Sequence, residues 1–407
     1  MNVHLLKSSV VNNSHITITG SKSESNRLLL LQALFPTLNI KNLSNSDDTK
    51  VMQRALQSSE NVIDIHHAGT AMRFLTAYFA TQKDKNVVLT GSSRMKERPI
   101  EILVDALRSL GANIDYLETE GCPPLKVYGQ ELTKDQVTLN ANVSSQYISA
   151  LLLIAPKLKN GLQLILKGHI TSLPYINMTL QLLNSIGVET KFEDNKITVF
   201  PLIENPTKET LIVESDWSSA SYFFSIVALS PLGTTIKLSS YKPQSLQGDS
   251  VLIAIYKDFG VSTTYEDHTL ILKKDSENHK IKSYDLNRAP DIAQTIAITC
   301  FALGIECHIT GLHTLKIKET DRLEALKIEI EKLGGQLSIT GESLHLKKAE
   351  DITSSVAIET YNDHRMAMAF APLALKVPLQ ICDAEVVSKS YPGFWNDLEA
   401  LGFAFSE

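Results

Sequence analysis

One punctuation recurs along the chain: an amphipathic helix, a glycine, then a short strand-like run. ALRSLGANIDYL turns at Gly111, LQLLNSIGVETKF at Gly187, AIYKDFGVSTTY at Gly260 and IEIEKLGGQLSI at Gly334, at intervals of 76, 73 and 74 residues. Glycine just past a helix supplies the left-handed cap. Two weaker copies extend the series. VMQRALQSSENVIDI at 51–65 lacks the glycine, and FWNDLEALGFAF places Gly402 68 residues after Gly334. Helix–glycine–strand is common in α/β proteins, but chance does not hold such regular spacing. Six units are counted.

Each unit holds a second helix of another kind. These are 23–35, 69–80, 144–156, 216–229, 289–303 and 362–375, almost wholly apolar inside. A helix apolar all round is a buried one. Each nevertheless begins with first-turn residues such as Ser, Thr, Asp, Asn or Pro. Buried helices with polar starts present free N–H groups and positive dipole ends, which suit anions.

At 407 residues the chain is too long for one ordinary core. Three units apiece give two similar α/β domains. The expected division is 1–20 plus 216–407, and 21–215, with crossings near 14–22 and 212–218. The N-terminal strand then joins the C-terminal domain. A net charge of −6, from 39 Lys plus Arg against 45 Asp plus Glu, argues against nonspecific nucleic-acid binding. The longest apolar runs, 28–31 and 150–156, fall far short of the ~20 residues of a membrane span. No signal-like core opens the chain. The four cysteines (122, 300, 307, 382) form no CxxC and no metal-like spacing. Cys300 reads as core, and a reduced cytoplasmic location is expected.

Six polar clusters stand out. GSKSESNR (20–27) puts Lys22 and Arg27 at a serine-rich helix start. HHAGTAMRF (66–74) offers Gly69 for close backbone approach and Thr70 as a cap; adjacent His66 and His67 diverge too much for a metal pair. GSSRMKERPI (91–100) carries Arg94, Lys96 and Arg98, and reads either as an anion site or as a solvated basic loop. VSSQY (143–147) is another serine-capped start. In KIKETDRLEAL, Lys318 and Arg322 share a face if the helix begins by 318. YNDHRMAMAF places Asp363, His364 and Arg365 at a buried helix start.

In this order the clusters resemble the 5-enolpyruvylshikimate-3-phosphate synthase family, from Lys22 to Lys389. AGTAMR, MKERP, SSQ, KETDRL and NDHRMAM carry the resemblance. It implies a two-domain enolpyruvyl transferase fold. Each domain has three βαβαββ units with buried parallel helices, and the active site lies in the interdomain cleft. It implies transfer of the enolpyruvyl group of phosphoenolpyruvate to the 5-hydroxyl of shikimate 3-phosphate, with inorganic phosphate leaving and no metal or organic cofactor. The implied shikimate-phosphate residues are Lys22, Ser23, Arg27, Ser144, Ser145, Gln146, Ser172, Tyr175, Asp291, Thr314 and Lys318. Those for phosphoenolpyruvate are Lys22, Gly69, Arg98, Gln146, Arg322, His364, Arg365 and Lys389. Asp291 is the expected general base and Glu319 the expected proton donor, with Lys22 as its rival. A monomer acting on small molecules, without nucleic-acid or membrane partners, and sensitive to glyphosate at the phosphoenolpyruvate site, follows from the same resemblance.

The inventory suits two substrates that each bring a phosphate and a carboxylate. Arginine gives bidentate contacts to either group, and serines with helix N–H groups hold phosphate at lower local charge. Three positions depart from the family pattern: His67 for an asparagine, Leu173 within Ser-Leu-Pro-Tyr, and Thr314 for an asparagine. A sister enzyme acting on a UDP-linked amino sugar usually has a reactive cysteine in the basic loop. Here GSSRMKERP has none, and Cys122 lies beyond the next helix. A noncatalytic repeat scaffold would not need polar clusters at buried helix starts.

Overall fold

The computed structural model describes residues 1–140, 144–168, 170, 173–204, 206, 210–278 and 280–406. The chain divides into two compact units, Gly20–Val213, and Met1–Thr19 with Glu214–Glu407.

Among the described residues the repeat is present as six sheets. Five have four strands on one plan, in which the first two are parallel and the next two antiparallel. Val62–Asp64 runs parallel to Asn86–Thr90, which pairs antiparallel with Leu125–Tyr128 and through it with Asn113–Tyr116. Gln136–Asn140, Leu162–Lys167, Lys196–Val199 and Thr190–Glu193 repeat the order. In the other unit, Lys282–Asp285, Cys307–Thr310, Leu344–Leu346 and Leu337–Ile339 do the same.

Two strands have exchanged sheets. Ser14–Ile16 precedes the Lys22–Leu34 helix in sequence but pairs parallel with Thr235–Leu238. Thr210–Ile212 precedes the Trp217–Leu229 helix but pairs parallel with Asn39–Lys41, forming the sixth, two-stranded sheet. Val3–Leu5 completes the last sheet between Leu379–Ile381 and Phe405–Ser406.

The two helix types separate as their sequences require. Every residue of Trp217–Leu229 except Ser218 is buried, as is every residue of Ala293–Ala302. Glu101–Ser109 buries only Leu103, Val104, Ala106 and Leu107, a single stripe. The buried helices Lys22–Leu34, Gly69–Ala80 and Ser145–Ile154 pack together in one unit. In the other, Ala293–Ala302 packs on both Trp217–Leu229 and His364–Phe370. All five punctuating glycines have positive φ. At Gly260 a Cβ would also fall 1.8 Å from the Ser276 carbonyl oxygen, so neither backbone angle nor space admits another residue. Among the described residues no helix is long and apolar enough to cross a membrane, and no His/Cys/Asp/Glu group could hold a metal ion. The four cysteines are unbonded, and Cys300 is core.

Candidate active site

In the Gly20–Val213 unit the polar residues gather at the starts of the three buried helices. Arg27 is buried one turn inside its helix. Its Nε donates to Thr179 Oγ1 (2.8 Å), Nη1 to the Ser23 carbonyl (2.8 Å), and Nη2 to Ser149 Oγ (3.0 Å) and the Tyr175 carbonyl (3.4 Å). The guanidinium also lies over Phe74 and Tyr175. Burial lowers its pKa to about 10, against the opposing pull of Tyr175 and Glu24. Arg27 thereby holds Ser23 and Tyr175 to the same spot. Ser172 lies outside the described residues.

Gly69 opens the second buried helix, and Arg98 lies against it. A Cβ at Gly69 would come 2.8 Å from Arg98 Cζ. Arg98 is aimed there by Arg73, which donates to the Pro99 carbonyl (2.8 Å) and the Gly69 carbonyl (3.2 Å). Arg73 is buried, and its pKa falls to about 10 through burial first and the like charge of Arg98 second. The two readings of the basic loop divide by residue. Arg94 pairs with Glu97 (2.8 Å) and Lys96 with Glu118 (2.6 Å) at the surface, while Arg98 turns to Gly69.

Thr70 does not cap its helix. Ala68 occupies the cap position without a side-chain bond, and Thr70 Oγ1 accepts from Gln146 Nε2 (3.3 Å). Ser144 does cap: its hydroxyl accepts from the Gln146 amide (3.3 Å), with Ser145 buried beside it. Lys22 Nζ meets Asp48 Oδ2 at 3.3 Å, and His67 Nε2 lies 3.6 Å from Asp48 Oδ1.

The other unit gathers a cluster of charges. Arg322 is 2% exposed. Its Nε meets Asp363 Oδ2 at 2.5 Å, Nη1 meets Asp291 Oδ1 at 2.8 Å, and Nη2 meets Glu319 Oε2 at 2.7 Å. Burial opposes its charge, but Asp363, Glu319 and Asp291 outweigh that and raise its pKa. Lys318 Nζ lies 3.4 Å from Asp291 Oδ1. Arg365 reaches Asp291 Oδ2 (3.3 Å), the Asp291 carbonyl (3.0 Å) and Ser218 Oγ (3.3 Å). His364 is buried beside Asp363, and Lys389 Nζ donates to the Asn362 carbonyl (2.6 Å). The hydroxyl of Thr314 is buried with no hydrogen-bond partner among the described residues.

The shared helix face expected for Lys318 and Arg322 is absent. Asp321 caps the helix by accepting from the Leu323 and Glu324 amides, so the helix begins at Arg322. Lys318 precedes it, and the two cations meet at Asp291 instead.

The comparisons with known proteins decide the family. A family model described as EPSP synthase (3-phosphoshikimate 1-carboxyvinyltransferase) matches residues 53–398. The chain belongs to the EPSP synthase family. The 3-phosphoshikimate 1-carboxyvinyltransferase of Bacteroides fragilis (strain YCH46) is 49% identical over 393 residues, 95% of each chain. A protein of that name from Sulfurovum sp. (strain NBC37-1) is 36% identical across 95% of this chain and 96% of its own. The solved EPSP synthase of Acinetobacter baumannii superposes with a TM-score of 0.80 over the whole of both chains at 22% identity, a likeness of fold. The two-domain fold expected from the motifs is thus the fold of an EPSP synthase.

Three residues around these clusters, Asp48, Arg73 and Asp249, carry structure that sequence reading did not single out, and a fourth, Asp363, was read as a helix start but not as a counter-charge. Asp48 joins Lys22 and His67. Arg73 sets Arg98. Asp363 is the buried counter-charge of Arg322 and caps the His364–Phe370 helix. Asp249, also buried, accepts from Ser218 and so stands behind Arg365. Burial first, then the nearby charge of Asp291, pushes the Asp249 carboxyl up to about 6. Only Asp363 had a local signal, as a cap residue opening an apolar helix.

Proposed function

We infer that this protein transfers the enolpyruvyl group of phosphoenolpyruvate to the 5-hydroxyl of shikimate 3-phosphate, releasing inorganic phosphate, as a step of aromatic amino acid biosynthesis. The observation that carries the reading is near-half identity across 95% of a chain named for that transfer. The charge cluster around Arg322 supports it.

In the Gly20–Val213 unit, Ser23, Ser144, Ser145, Gln146 and Tyr175 offer hydroxyls and amides to the phosphorylated acceptor, with Arg27 fixing two of them. Ser172 joins them by family pattern. Lys22, Gly69, Arg98 and Gln146 serve the donor. In the other unit, Arg322, His364, Arg365 and Lys389 serve the donor, and Asp291, Thr314 and Lys318 the acceptor. Asp291 takes the proton of the 5-hydroxyl as its oxygen bonds to the substituted carbon of phosphoenolpyruvate. Glu319 gives a proton to the methylene carbon, a role for which Lys22 is the rival. The elimination returns the methyl proton to Glu319, breaks the carbon–oxygen bond to phosphate, and passes the proton held by Asp291 to the departing phosphate. Lys22, Arg98 and Lys389 stabilise the leaving charge. An anionic donor at Arg322 replaces one of its carboxylates, and release of Glu319 from that pair frees it for proton transfer. The protein works as a cytoplasmic monomer without a cofactor. A coupled phosphate-release assay with both substrates tests the reading; no release above either substrate alone rejects it.

A further inference from the structure

We propose that His67 sets, through Asp48, how much of the Lys22 charge is available to an anionic substrate, and so makes donor binding depend on pH. The proposal rests on the reading above that Lys22 contacts phosphoenolpyruvate. Its own basis is geometric. One carboxylate, only 10% exposed in its side chain, is divided between an ammonium and an imidazole. Asp48 Oδ2 lies 3.3 Å from Lys22 Nζ, and its other oxygen lies 3.6 Å from His67 Nε2. His67 stands two residues before Gly69, against which Arg98 packs, so the trio borders the other proposed donor residues.

The charge count gives the direction. With His67 protonated, Lys22, Asp48 and His67 sum to one positive charge. With His67 neutral they sum to zero, and Asp48 neutralises Lys22. An imidazole makes that change in the physiological range, whereas an amide at this position has no such change to make. Raising the pH therefore removes attraction for a phosphate or carboxylate at Lys22. The charged and titratable groups gathered beside His67 include Asp47, Lys50 and Arg54 of the Asp47–Gln57 helix and the neighbouring His66. With His67 they line a depression of about 660 Å³. Asp64 faces the turn, accepting from the His66 amide at 2.7 Å. Of these, only His66 is an imidazole, so it supplies the control.

The test is the affinity for phosphoenolpyruvate, by calorimetry, between about pH 5.5 and 8.5. Wild type, His67→Asn, His67→Gln and His66→Asn are compared. The substrate's own phosphate ionisation is common to all and cancels in the ratios. Wild type should bind roughly tenfold tighter than His67→Asn at the acid end, and the gap should close as the pH rises. His67→Gln should behave as His67→Asn, while His66→Asn should follow wild type. Parallel profiles for wild type and both His67 variants, with normal transfer to shikimate 3-phosphate, overturn the role of His67 and leave the reaction standing. An equal loss in His66→Asn also overturns it. A closing gap in a protein that binds phosphoenolpyruvate but transfers nothing supports His67 and overturns the reaction. No binding at any pH overturns both.

Discussion

Two buried arginines, Arg27 and Arg322, do opposite things with the same side chain. Arg27 spends its donors on two hydroxyls and two carbonyls, all neutral, and burial lowers its pKa. Arg322 spends its donors on three carboxylates, which raise its pKa despite burial. A guanidinium among neutral acceptors is a positive charge paid for by packing; its geometry is fixed and it fixes Ser23 and Tyr175. A guanidinium among three carboxylates is more than balanced in charge, and the proposed donor site has an anionic substrate take the place of one of them. The first arrangement builds a rigid hydroxyl-lined wall. The second sets Asp291 and Glu319 on one cation, and the proposed reaction requires this pair to exchange partners and protons.

The largest expected effect breaks the exchangeable side. Asp291→Asn keeps the shape of the group contacted by Arg322, Lys318 and Arg365 but removes its capacity as a base. Turnover should fall roughly 10²- to 10⁴-fold while binding of shikimate 3-phosphate remains measurable. Steady-state kinetics beside a binding titration checks this, and near-normal turnover removes Asp291 from the role. Asp363→Ala attacks the same cluster through its buried member. It strips Arg322 of its most enclosed counter-charge and the His364–Phe370 helix of its cap. Removing one partner of a buried pair costs about 3–5 kcal/mol. Denaturant unfolding should show it, and a loss no greater than that of an exposed pair would mean Asp291 and Glu319 suffice.

The contrast between the arginines was only half legible in the sequence. The helices were readable because burial on all sides leaves an all-apolar interior, as in Trp217–Leu229, and because each repeat closes on a glycine that only positive φ explains. The motif residues read as candidate anion ligands, the role proposed for them above. What each cation is bonded to was not. Thr179 and Tyr175 lie about 150 residues from Arg27, and no local pattern announces them. Asp249 sits in a stretch without helical or strand periodicity, and only the fold brings it behind Ser218 and Arg365. The start of the helix at Arg322 was signalled by Asp321, a residue type favoured as a cap, but the charge pattern of Lys318 and Arg322 drew the eye past it. Crossings near 14–22 and 212–218 were expected, but which strands Ser14–Ile16 and Thr210–Ile212 pair with, across some two hundred residues, had no local signal.

Arg27→Ala sharpens the comparison from the rigid side. It leaves Thr179, Ser149 and two carbonyls with one donor fewer, at a cost of roughly 2–3 kcal/mol in stability. Because Ser23 and Tyr175 lose their common tie, calorimetry should also find shikimate 3-phosphate binding weakened more than phosphoenolpyruvate binding. Unchanged acceptor affinity in a destabilised protein would make Arg27 a packing residue only.

The smallest effect concerns Asp249, which belongs to the charged side yet has no ion pair among the described residues. Its carboxyl is raised from an ordinary 3.8 to about 6, by burial first and by Asp291 second, with Arg365 and the Ser218 bond pulling the other way. Between those values the folded chain holds a proton that the unfolded chain has lost. Its contribution to stability is therefore fully present below about pH 3.8 and is lost as the pH rises through about 6. Asp249→Asn carries no such charge and should escape the loss, while still accepting from Ser218. Relative to wild type, the variant should gain stability between pH 4 and 6 and hold that gain above it. The gain should be at most roughly 3 kcal/mol, the equivalent of a shift in which the pull of Arg365 is already counted. Thermal unfolding of both proteins across that range is the measurement. A stability difference independent of pH would mean Asp249 keeps its ordinary ionisation in the folded chain. The raised carboxyl would then be no part of what distinguishes the Arg365 side of the cluster from the neutral setting of Arg27.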